Sequence, residues 1–138
     1  MAINLQADVL IDGAAAGEVL RLAEPISFWG GVNAKNGRIV QPAHPDFDRC
    51  LTGRILVLPG AIGSSSSSAI MLELIREAMA PIAVVMAETD VILALGVVIA
   101  GELDLPSIPV LRAPIDAFET GMKTQIMAGG QIRLGAEV

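Results

Sequence analysis

Apolar residues follow two different rhythms along this chain. In the second half they form short unbroken runs, Arg54–Leu58 (RILVL), stopped by Pro59-Gly60, and Ile82–Met86 (IAVVM). Runs of this length, rich in β-branched residues and bounded by turn formers, read as strands buried on both faces. Between them Ile70, Met71, Leu74, Ile75 and Ala78 recur at helical spacing, predicting a helix over Ser66–Ala78 that Pro81 cannot continue. Thr89-Asp90 can cap a second helix over Val91–Glu102, and Pro106 and Pro109 flank a third strand at Ile108–Leu111. This alternation predicts a parallel βαβαβ unit.

The first half is shorter in stride. Val9–Gly13, Gly17–Ala23 and Gly37–Val40 read as extended pieces, with a tight turn at Asn36-Gly37. Lys123–Met127 and Gln131–Leu134, separated by Gly129-Gly130, predict a closing hairpin. The fold class is therefore α/β: one domain over residues 1–138, its parallel unit packed against an antiparallel layer drawn from both chain ends.

Composition removes several classes of function. Hydrophobic residues make up 53% of the chain and the mean hydropathy is +0.62. A membrane-spanning helix needs roughly 20 apolar residues in a row. The longest run, Val91–Ala100, is about half that, and Glu88, Asp90 and Glu102 bracket it, so no membrane partner is expected. The excess is instead assigned to doubly buried strands and to an apolar surface reserved for a partner. A net charge of −6 with scattered Lys and Arg, and few aromatic residues, argues against nucleic acid. The start of the chain does not read as a signal peptide, and the lone Cys50 fits a reducing cytoplasm.

The candidate chemistry lies in Ile55–Ala69, ILVLPGAIGSSSSSA. A loop leaving a parallel strand and opening a helix is where α/β sheets bind ligands. The helix start offers unpaired N–H groups and a positive dipole end, Gly60 and Gly63 admit a close backbone approach, and serine hydroxyls both donate and accept. One serine can serve as N-cap, which accounts for one of the five; ligand contact and plain capping stay open here. A P-loop is excluded because no Lys follows Gly63, and a serine-hydrolase elbow because no Gly follows the serine at the required spacing.

Pro25–Val32 (PISFWGGV), Asn36-Gly37, His44-Pro45, GRILVLPGAIGSSSSSAIMLELI and AETDVILALGVVIAGEL occur in an order that resembles the small subunit of the aconitase X family. The resemblance implies a swivelling β/β/α domain that acts as a lid on a larger catalytic subunit. It implies a hydro-lyase acting on a small hydroxy acid, either cis-3-hydroxy-L-proline or mevalonate 5-phosphate. Aconitase-like lids carry a Gly-Ser-Ser motif, which falls here on Gly63-Ser64-Ser65. By that match Ser64 is the proton-abstracting base, and Gly63, Ser65 and Ser66 contact substrate, with the register inside the serine run open by one residue. Aconitase proper has an arginine after its two serines, where this chain has Ser66. Phosphomevalonate-type subunits tend to carry a basic residue before the Gly-Ser pair; Ile62 stands there, which favours hydroxyproline. The reading from another class is a non-catalytic anion-binding or assembly module.

A serine hydroxyl is a weak base, and dehydration needs a Lewis acid on the departing hydroxyl. An iron–sulfur cluster takes four Cys or a Cys/His mixture, and this chain has one of each. No metal or cofactor is therefore expected on this chain, and iron or an iron–sulfur cluster is expected in the large subunit. Cys50 reads as a small buried hydrophobe, His44 as a loop residue bonded to backbone, and Met71, Met79 and Met86 as core filler. Phe28-Trp29-Gly30-Gly31 is either a core anchor at a turn or part of a docking face near the substrate.

Overall fold

The computed structural model describes residues 3–62 and 65–135. Three strands form the parallel centre: β3 (Ala15–Arg21), β6 (Ile55–Leu58) and β7 (Ala83–Met86), followed by β8 (Val110–Arg112) in the same direction. Every residue of β6 and β7 is buried. Their alternating side chains feed two separate cores. Leu56, Leu58, Val84 and Met86 pack beneath helices α2 (Ser67–Arg76) and α3 (Val91–Glu102). Ile55, Val57, Ala83 and Val85 face the other way, onto Phe118 and the antiparallel strands β9 (Lys123–Met127) and β10 (Gln131–Leu134). Strands buried on both faces read as unbroken apolar runs, which is why RILVL and IAVVM were legible. The result is the expected β/β/α arrangement.

The two β layers are one sheet, in the order β1-β10-β9-β3-β6-β7-β8-β2, with β1 at Ile3–Gln6 and β2 at Asp8–Ile11. The first half of β3 pairs antiparallel with β9, and its second half pairs parallel with β6. Strands β1 and β2 sit at opposite edges of this order, yet only Ala7 separates them in the chain. The sheet must therefore curl until its edges meet, and the Ala7 N–H donates to the Gly130 carbonyl at 2.8 Å. A small hairpin, β4 (Val32–Asn33) with β5 (Arg38–Ile39), stands apart. Its turn requires Gly37: φ is +70°, and a Cβ there would meet the Thr52 hydroxyl.

Helix α3 begins where Thr89-Asp90 predicted. Asp90 Oδ1 accepts the N–H groups of Ile92 and Leu93 at 2.9 and 3.1 Å. The two helices pack closely on each other beside a single turn, α1 (Phe28–Gly31). None of the described helices is long and apolar enough to cross a membrane.

Candidate functional site

The carboxyl ends of β3, β6 and β7 open onto a shallow depression walled by Pro25, the Pro59–Ile62 loop and Ala87-Glu88. Buried β6 delivers Pro59 to this rim. The loop then bridges to the segment after β3: Ala61 pairs with Ile26, and the Ile62 N–H donates to the Ile26 carbonyl at 2.9 Å. A second tie runs from the Glu88 N–H to the Pro59 carbonyl at 3.0 Å. Backbone bonds thus hold the approach to the serine run from both sides.

Gly63 and Ser64 lie outside the described residues. The run resumes at Ser65, which is exposed, and Ser66 is the N-cap of α2. The Ser66 side chain makes no capping hydrogen bond, in contrast with Asp90 at the start of α3. Ser68 Oγ donates back to the Ser65 carbonyl at 2.9 Å and closes the turn. Ser67 faces inward, buried, with no partner for its hydroxyl among the described residues. The run thus ends in the first turn of α2, and the positive dipole end of a helix favours a carboxylate.

The aromatic-glycine segment divides between its two readings. Phe28 is fully buried and anchors the turn, while Trp29 is 58% exposed beside it. Gly30 turns the chain with φ of +80°, and Gly31 is buried close to Ile26. Ile62, 53% exposed, is an apolar side chain on the wall of the depression. On α3, Val91, Leu95 and Val98 share an exposed apolar face one helical turn apart. Part of the apolar excess thus lies on the surface and the rest in the doubly buried strands.

Both His44 and Cys50 have hydrogen-bond partners within the chain. His44 is buried; its Nε2 lies 3.1 Å from the Glu24 carbonyl and its Nδ1 accepts the Asp46 N–H at 3.0 Å. Those partners make Nε2 the protonated nitrogen. Asp46 in turn accepts the Ala23 N–H at 2.9 Å, so this loop braces the segment leading to Pro25. Cys50 is half-buried and donates to the Asn36 carbonyl. No grouping of three or more His, Cys, Asp or Glu suited to a metal occurs among the described residues.

Glu88 was not singled out from the sequence. Its signal was a charged residue just past the end of an apolar strand, which is common; only the fold puts it beside the Pro59–Ile62 loop.

Residues 4–134 match the aconitase X swivel-domain family. The chain belongs to that family. As a swivel domain it is similar to the aconitase X of Thermococcus kodakaraensis in its holo-form, with a TM-score of 0.87 and 28% identity over 96% of this chain and 98% of the other. It is 43% identical over 101 residues to a cis-3-hydroxy-L-proline dehydratase of Pseudomonas aeruginosa, covering 73% of this chain but only 17% of that much longer protein. It is also 35% identical over 121 residues to the phosphomevalonate dehydratase small subunit of Methanopyrus kandleri, covering 85% of each. The swivel domain thus has relatives named for both substrates.

Proposed function

We propose that this swivel domain is the small subunit of a two-subunit cytoplasmic hydro-lyase that converts cis-3-hydroxy-L-proline to 1-pyrroline-2-carboxylate. The observation that carries the substrate choice is the charge of the depression. Its described walls contain no Lys or Arg, and their one charged group is Glu88. A phosphate brings a charge of about −1.5 to −2, which calls for a nearby cation. Hydroxyproline brings one carboxylate, which helix-terminal amides and serine hydroxyls can satisfy. The 43% identity to a hydroxyproline dehydratase supports the same choice.

In this reading Ser64 removes the proton from the carbon bearing the carboxylate, and the neighbouring hydroxyl leaves as water. The enamine so formed tautomerises to the cyclic imine. Gly63 permits close approach of the loop, and Ser65 and Ser66 hold the substrate carboxylate beside the start of α2. The chain's own donors do not fit a metal, because both His44 nitrogens are engaged by backbone and Cys50 stands without a second thiol. Iron or an iron–sulfur cluster belongs in this reading to the large subunit. The exposed apolar side chains of Trp29, Ile62 and α3 support such a docked partner.

The test is reconstitution with the large subunit and measurement of kcat/KM for both substrates on one preparation. A clear preference for cis-3-hydroxy-L-proline is expected. A preference for mevalonate 5-phosphate would overturn the substrate assignment and show that the large subunit supplies the cations.

A further inference from the structure

We propose that the Glu88 carboxylate is a specificity-determining group that receives the ring ammonium of the substrate, an inference that rests on the hydroxyproline reading. Three observations converge on it. Glu88 shares the walls of the depression with the Pro59–Ile62 loop, the segment that leads in sequence into the serine run. Its position is held: its N–H is bonded to the Pro59 carbonyl, on the loop that leads into the serines. Among the described residues it has no ion-pair partner, although Arg38, Arg49, Arg76 and Arg112 each have an acidic one.

The contrast with Asp90, two residues on, sharpens the assignment. The Asp90 carboxylate is engaged by the first amides of α3, whereas nothing described engages the Glu88 carboxylate. Gly60 contributes by having no side chain. A Cβ there would stand 3.7 Å from Glu88 Cβ and 4.0 Å from its Oε2, so glycine leaves that flank of the carboxylate open.

Hydroxyproline carries its ammonium on the carbon that also bears the carboxylate and loses the proton. In this proposal the substrate's ammonium sits at Glu88 and its carboxylate is held by the serine run at the start of α2. Docking of the large subunit would then enclose that pair and exclude water from it, which strengthens a charge-assisted hydrogen bond. A phosphate in the same space would meet an uncompensated negative charge. One carboxylate thus selects for one substrate and against the other.

The experiment compares wild type, Glu88→Gln and Glu88→Asp in the complex with the large subunit. Glu88→Gln is expected to lower kcat/KM for cis-3-hydroxy-L-proline about 10- to 100-fold, mostly through KM, the usual cost of losing a hydrogen bond to a charged group. Glu88→Asp is expected to recover part of the loss. L-Proline and tetrahydrofuran-2-carboxylate, which differ at the ring nitrogen, separate charge pairing from a structural role as competitive inhibitors. Wild type should bind L-proline more tightly, and Glu88→Gln should lose that preference. Equal weakening of both inhibitors, or an unchanged kcat/KM, overturns the role of Glu88 while leaving the hydroxyproline reading intact. Wild type that fails to dehydrate hydroxyproline but turns over mevalonate 5-phosphate overturns both.

Discussion

Gly96, in the middle of α3, touches the backbone of Ser68 at the end of the serine run. A Cβ on Gly96 would lie 2.5 Å from the Ser68 carbonyl oxygen and 2.9 Å from Met71 Cβ. Neither obstacle can swing away, because one is main chain and the other is the root of a buried side chain. The absent side chain of Gly96 therefore sets how closely the first turn of α2 approaches α3, and so where the serines are presented. Gly96→Ala is expected to destabilise the chain by about 1–3 kcal/mol, as overpacking does. It should also reduce kcat of the complex. Chemical denaturation and single-substrate kinetics check the two effects, and unchanged values for both would show that the helices part at no consequence.

Ser64→Ala is expected to abolish turnover in the complex while assembly with the large subunit persists. Loss of a capping hydroxyl costs about 0.5–2 kcal/mol, too little to account for complete inactivity in a folded protein. Size-exclusion chromatography and steady-state assays distinguish these outcomes. If Ser65→Ala is inactive and Ser64→Ala is not, the base is one residue further along the run.

Replacing Ile62 by Arg should move substrate preference toward phosphate. Ile62 is 53% exposed on the rim, so the change has little packing to disturb and the unfolding midpoint should barely move. The new cation would stand in the same depression as Glu88 and offset it. The ratio of kcat/KM for mevalonate 5-phosphate to that for hydroxyproline is expected to rise, measured on one preparation of each protein.

His44→Ala should weaken the fold rather than the chemistry. It strands the Asp46 N–H and the Glu24 carbonyl beside a buried cavity, and each orphaned group costs about 1–3 kcal/mol. Urea unfolding should show the loss. Activity of the intact complex well below its unfolding midpoint should fall far less than in Ser64→Ala.

The exposed end of α2 gives a pH signature. A hydrogen bond from the Arg76 guanidinium holds the Glu73 carboxyl below its ordinary value. Because the folded value is the lower one, the stabilisation is complete above the usual carboxylate range and disappears as pH falls through the folded value. The Tm difference between wild type and Glu73→Gln should therefore be present at neutral pH and vanish in acid. Added salt should shrink it at every pH, since the pair faces solvent.

The sequence alone determined those elements whose physical cause is local. Strands β6 and β7 are apolar at every position because both faces are covered, and that leaves an unbroken run in the chain. Helix α3 starts after Asp90 because its carboxylate sits within reach of the next amides, and strands β9 and β10 flank two glycines that turn with positive φ. The strand–loop–helix junction and its serines were visible for the same reason. Only the tertiary structure decided what depends on partners distant in sequence. Strand β1 alternates apolar and polar residues over only four positions and is mostly exposed; it is a strand because β10 pairs with it. Joining it to β2 through Ala7 closes the sheet, and no local pattern can announce which two edges will meet. Glu88, Gly96 and His44 gain their roles in the same way, from a loop, a helix and a carbonyl that lie beyond their own periodicity. Hydrophobic spacing reports how a segment is buried, whereas contacts across the fold decide what it is buried against.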